Sequence, residues 1–244
     1  MKKVLIIGSL LSCIVVVATA CQKHNKEKHD MEVSYYNSNV DISKEKLPTD
    51  NSTEQYIDTL YNELPKENYK EVSYPTPNID ASRKNAVEGV ILHHTAEPTI
   101  ERSLGVLTTK KVGTHVVIDT DGTRYIMAAP TMVTYHAGYS ILNGKENCNN
   151  FTIGIEFQGN TLEGPLTKDQ ISSAIEYLKP LVSKYKIPLT SIVTHEMVRQ
   201  AYKKKYPKKK CSGKVDITQK EYFRFMKELK NELKKGTNKD KGGI

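Results

Sequence analysis

Residues 114–129 read Thr-His-Val-Val-Ile-Asp-Thr-Asp-Gly-Thr-Arg-Tyr-Ile-Met-Ala-Ala. The stretch 114–119 alternates as a strand, Asp121-Gly122 is a strong hairpin-turn signal, and 123–129 reads as the returning strand. Outward from this hairpin, short apolar runs at 89–93, 131–136, 152–158 and 191–195 predict further strands. Residues 100–108 suit a helix. Residues 167–185 place Ile171, Ile175, Leu178, Leu181 and Val182 on one helical face, and 218–233 holds Tyr222, Phe223, Phe225, Met226 and Leu229 in register as a closing helix. Strands interspersed with helices, plus one hairpin, predict an α/β fold: a mixed central sheet flanked by helices, in a single domain over 81–235.

The 244-residue chain is long enough for one sizeable core. Its apolar alternation excludes a wholly disordered protein. After residue 20 no apolar run reaches the roughly 20 residues needed to span a bilayer, which excludes a multi-pass membrane protein. Residues 1–20 carry Lys2 and Lys3, an apolar stretch, and Ala18-Thr19-Ala20 just before Cys21. That is the pattern of an export signal, and small residues ending at a cysteine resemble a lipoprotein signal, with Cys21 lipidated. Residues 21–80 are expected to be a polar tether with a short helix near 53–64, interrupted by Pro65, Pro75 and Pro77. A flexible tether of about 30 residues spans some 30 Å. Residues 236–244 read as a flexible tail.

The formal net charge is +8, from 36 basic and 28 acidic residues. Removing Lys2 and Lys3 leaves an excess matched by Lys203, Lys204, Lys205, Lys208, Lys209 and Lys210 alone. A charge confined to one segment argues against nucleic-acid binding and for a local basic patch or a solvated loop. Without Cys13 and Cys21, only Cys148 and Cys211 remain. This excludes a disulfide scaffold and leaves their pairing open.

His93, His94, His136, Glu156 and His195 fall at or just past the ends of expected strands, where α/β sheets present ligands to a cleft. Two histidines with a carboxylate or thiolate have the composition of a catalytic zinc site that keeps one position for water. Spacing alone does not say which residues would be the ligands.

Six ordered motifs are more specific: Ile91-Leu92-His93-His94-Thr95-Ala96; residues 112–119 with Asp121-Gly122; Tyr135-His136-Ala137-Gly138; residues 148–156, from Cys148 to Glu156; Thr194-His195-Glu196; and Lys214-Val215-Asp216. In order, over about 85–230, they resemble the zinc-dependent N-acetylmuramoyl-L-alanine amidases, the superfamily that also includes peptidoglycan recognition proteins. The resemblance implies Zn2+ held by His93, His195 and Asp216, with Cys211 the competing third ligand. It implies that Glu156 is the catalytic acid and base and that Lys214 offsets oxyanion charge. His136 and Thr114 match substrate-groove positions. Some family members carry a tyrosine where this chain has Thr114, so its absence shifts weight to Glu156. His94 and His115 read as supporting residues.

The function so implied is hydrolysis of the amide between the lactyl group of N-acetylmuramic acid and L-alanine. The partners would be peptidoglycan or muropeptides, with a bacterial membrane reached through the lipid on Cys21. The protein is expected to be a monomer on the periplasmic side of the cell envelope. The competing readings are a recognition module of the same fold that binds muropeptides without cleaving them, and a thiol hydrolase using Cys211 with His195.

Overall fold

The computed structural model describes residues 69–211 and 216–239. The export signal, Cys21, the helix expected near 53–64 and Lys214 lie outside the described residues. Ten strands occur among them: β1 Glu71–Ser73, β2 Ile79–Ser82, β3 Gly89–His94, β4 Val116–Ile118, β5 Arg124–Ile126, β6 Met132–Thr134, β7 Ile141–Leu142, β8 Lys145–Glu146, β9 Thr152–Phe157 and β10 Ile192–Thr194. The α-helices are α1 Ile100–Thr109, α2 Lys168–Tyr185, α3 His195–Lys205 and α4 Gln219–Lys239. Strands β1-β5-β4-β9-β3-β10 form a mixed sheet whose one antiparallel pair is the β4–β5 hairpin.

Both faces of the sheet are covered. Val90, Leu92, Val116, Ile118, Ile153, Ile155 and Phe157 face a core completed by α2 and α4 through Ile171, Ala174, Leu178, Tyr222, Phe225 and Leu229. The period of two sends Ile91, His93, Thr152, Gly154 and Glu156 to the opposite face. There Ile91 joins Leu142, Phe151, Val193 and Val198, and Val117 joins Leu104 and Leu107 of α1. Burial on both faces explains why the central strands read as continuous apolar runs. Thr167 starts α2 with a reciprocal capping box to Gln170. Among the described residues no helix is long and apolar enough to cross a membrane.

Four expectations are corrected. Strands begin inside the stretch read as a tether: β1 adds to β5 as an edge strand of the mixed sheet, and β2 pairs with β6 in a separate two-stranded sheet. Arg124 fastens this arm, donating to Glu71 Oε1 at 3.0 Å and to the Tyr69 carbonyl at 3.3 Å. His195 does not end a strand but opens α3, N-capped by the Thr194 hydroxyl, and Lys203, Lys204 and Lys205 form its last turn. Basic residues there face the negative end of the helix dipole, so half the lysine run is helical rather than loop. At the C-terminus, α4 continues to Lys239, past the apolar register ending at Leu233 and into the expected tail, since extending a formed helix is far easier than starting one. The β7–β8 hairpin was not expected at all. Its two-residue turn Asn143-Gly144, with φ of 50° and 79°, is a strong hairpin signal.

Candidate active site

Strands β3, β9 and β10 run parallel, so their C-terminal ends open on one side of the sheet. His93 and Glu156 occupy paired register positions on β3 and β9 and share a face. His195 follows β10 immediately, its direction set by the Thr194 cap. Asp216, shortly before α4, is fully buried against the two histidines.

One ligand atom from each of His93, His195 and Asp216 lies within 4.8 Å of the others. His195 Nδ1 is 2.7 Å from Asp216 Oδ2 and His93 Nδ1 is 3.5 Å from Oδ1. Burial opposes ionisation of Asp216, but the adjacent His195 and His93 hold its carboxyl well below the usual carboxylate range. Oδ1 has no hydrogen-bond partner. A buried carboxylate with one orphaned oxygen, facing two imidazole nitrogens, could hold a zinc ion and fits its preference for nitrogen and oxygen ligands. Cys211 is not part of this cluster. It is a free thiol whose sulfur contacts the Lys209 carbonyl, and Cys148 is also free and buried.

The structure places Glu156 beside the cluster, with Oε2 buried and without a hydrogen-bond partner. His136 also meets the cluster, its Nδ1 3.2 Å from His93 Nε2. Burial, then the neighbouring His93, His115, His195 and Arg83, push the His136 imidazole well below its ordinary value. Its ring fits because residue 154 is glycine: a Cβ there would lie 2.6 Å from His136 Cγ. Thr114 is fully buried, and that same Cβ would lie 2.9 Å from its hydroxyl oxygen. Its side chain is enclosed near His136 and Gly154, and its hydroxyl oxygen has no hydrogen-bond partner.

His115 is structural. Its Nδ1 accepts from the Gly154 N–H at 3.0 Å, and burial pushes its imidazole down to about 3. The Arg83 guanidinium joins it to the Pro130, Met132 and Thr152 carbonyls. His94 Nδ1 accepts from the Thr161 N–H, away from the cluster.

A cleft of about 330 Å³ opens over the cluster, lined by His93, His136, Glu156 and His195. Its lining adds residues with no expected role: Tyr139 and Arg199, together with Val112 and Tyr135, which stand only as members of the quoted motifs. Tyr139 is 63% exposed and stacks on buried Tyr202 of α3 at 5.2 Å and 18°. Arg199 is buried beside Glu196. Val112, Tyr135 and Tyr139 are three of the five exposed large apolar residues among those described. Such clustering at a cleft marks a binding surface.

The chain is 33% identical over 102 residues to the 1,6-anhydro-N-acetylmuramyl-L-alanine amidase AmpD of Haemophilus influenzae, covering 41% of this chain and 54% of that protein. It is 25% identical over 124 residues to the N-acetylmuramoyl-L-alanine amidase AmiD of Escherichia coli, covering 45% of each. The chain thus spans about half the length of these curated relatives. The solved structure of the N-acetylmuramoyl-L-alanine amidase LysC from Clostridium intestinale aligns over 69% of this chain and 99% of that one, with TM-score 0.45 and 23% identity. The N-acetylmuramoyl-L-alanine amidase family model matches residues 83–214, more than half of the chain, and takes in His93, His136, Glu156 and His195. With those side chains gathered around one cleft, the chain belongs to the N-acetylmuramoyl-L-alanine amidase family.

Proposed function

We propose that the domain is a zinc amidase of peptidoglycan, cleaving the amide between the lactyl group of N-acetylmuramic acid and L-alanine. The observation that carries this reading is the buried convergence of His93, His195 and Asp216 in a cleft that also receives the unpartnered Glu156 carboxylate. His93, His195 and Asp216 would hold the ion. Zinc bound there supplies Lewis acidity, polarising an amide carbonyl and making water easier to ionise. Glu156 takes the proton from attacking water and returns one to the leaving amine nitrogen. Its burial keeps competing bulk water from that oxygen. Tyr135 and Tyr139 at the rim offer aromatic faces to the muropeptide, and Lys214 would offset charge on the oxyanion.

The test is digestion of purified peptidoglycan, with the products identified by mass. Free stem peptides beginning at L-alanine are expected from the zinc-loaded chain and none after chelation. Muropeptide binding without release of peptide would leave a recognition module.

The proposal includes export and anchoring, supported by the 1–20 signal pattern ending at Cys21 and by the polar residues that follow. The domain would act as a monomer from a bacterial membrane facing the periplasm. Cys21→Ser should abolish labelling by radioactive palmitate and release the protein from the membrane fraction.

A further inference from the structure

Both imidazoles of the cluster turn Nδ1 toward Asp216 and Nε2 away. Each Nε2 meets the short segment at His136 and Ala137. For His195 the partner is the Ala137 carbonyl oxygen at 3.2 Å, while its Nδ1 lies 2.7 Å from the Asp216 carboxylate, so both ring nitrogens meet acceptors and these contacts single out no one tautomer. For His93 the partner is His136 Nδ1 at 3.2 Å, and this contact alone does not say which nitrogen donates.

The direction is set two bonds further along. Thr152 Oγ1 donates its one proton to the Cys148 carbonyl oxygen at 2.7 Å. Its other contact, 3.3 Å to His136 Nε2, must therefore be one it accepts. The proton of the neutral His136 ring is then on Nε2, and its Nδ1 is left to accept from His93 Nε2–H. The relay ends with a bare Nδ1 on His93, facing Asp216 Oδ1. Asn149 holds the segment in place, its Oδ1 accepting from the His136 N–H at 3.1 Å and the Ala137 N–H at 2.8 Å.

We infer that Thr152, acting through His136, fixes the tautomer of His93 so that Nδ1 is the nitrogen offered to the metal; Thr152 and His136 are positioning residues. The inference rests on the zinc reading for the identity of the ion, while the direction of the relay follows from the hydrogen bonds alone. A carbonyl is the fixed acceptor at the end of the His93 chain, so the tautomer of His93 is pre-set before the ion arrives. Partners of this kind typically change metal affinity about 10- to 100-fold.

The test uses the full-length chain. Long-range proton–nitrogen NMR of the zinc-loaded wild type should find the His93 ring proton on Nε2. Chelator competition should show zinc binding weakened about 10-fold or more in Thr152→Val, which keeps the shape and removes the hydroxyl, with Thr152→Ser restoring most of the affinity. A merely structural loss would not follow the hydroxyl in this way. A ring proton on His93 Nδ1, or Thr152→Val holding zinc as tightly as wild type, would overturn the inference. If Thr152→Val does not fold, the wild-type spectrum decides alone. A chain that holds zinc through His93 Nδ1 yet releases no stem peptide supports the relay and removes the amidase reading.

Discussion

Gly154 and His136 occupy one space: the ring of His136 stands where a side chain at residue 154 would begin, with Cγ 2.6 Å and Nδ1 2.8 Å from a Cβ placed there. The ring cannot retreat freely, because His93 contacts Nδ1 and Thr152 contacts Nε2. Gly154→Ala should therefore cost about 1–3 kcal/mol of stability, as overpacked cores do, and should weaken zinc binding by displacing His136. Denaturant unfolding and a zinc titration read the two effects. An alanine variant as stable and as tightly loaded as wild type would show that the site relaxes around it.

Asp216 and Cys211 separate cleanly by substitution. Asp216→Ala removes the carboxylate that meets both His93 and His195, so zinc content should fall to near zero, as it should in His93→Ala and His195→Ala. Cys211→Ser should keep its metal, since that sulfur contacts only a backbone carbonyl among the described residues. Elemental analysis of the purified variants checks both, and the reverse result would exchange the third ligand.

Glu156→Gln keeps the size of the side chain and removes its capacity to take up a proton. Zinc content should be unchanged and turnover on muropeptides should drop by roughly 10²-fold or more. Wild-type turnover in this variant would move the proton transfer to another group.

The pH dependence of stability follows from His115. Burial lowers its imidazole to about 3 in the folded chain, against about 6.5 when unfolded. The unfolded chain takes up the proton first, so this contribution is fully present above about 6.5 and is lost progressively as pH falls toward 3. Urea midpoints across that window should decline, and His115→Gln should flatten the decline. His136, lowered for the same reason of burial, leaves part of the slope in place. An unchanged slope in the variant would mean that His115 is not the titrating group.

Much of the site was legible because its motifs lie where strands end: His93, Glu156 and His195 follow runs whose apolar character is plain. The α3 helix was hidden because the positions it buries are His195, Glu196, Val198, Arg199 and Tyr202, and three polar residues in that row mask the helical period. Strands β1 and β2 were hidden because an edge pairing made by backbone needs little apolar sequence, and Pro75 and Pro77 interrupt what pattern there is. Thr152 and Asn149 carried no signal of their own. A hydroxyl or an amide acquires its role from the neighbour it meets, and those neighbours are assembled by the hairpin, β9 and the turn at Cys148–Asn150. Of the cleft tyrosines, Tyr135 lies within the quoted motif and Tyr139 directly after it, but only their exposure distinguishes them from core residues.

Arg124 gives the molecule a mechanical character. One guanidinium grips the arm at Tyr69 and Glu71 and, from its other side, holds the Ser173 carbonyl and Glu176 of α2. Tension entering at residue 69 reaches this anchor first and is passed to a helix that packs on the sheet face away from His93 and Glu156. The arm is thereby fastened to the helix-covered face of the sheet that lies away from the cleft, and a load applied to it would bear on that face first.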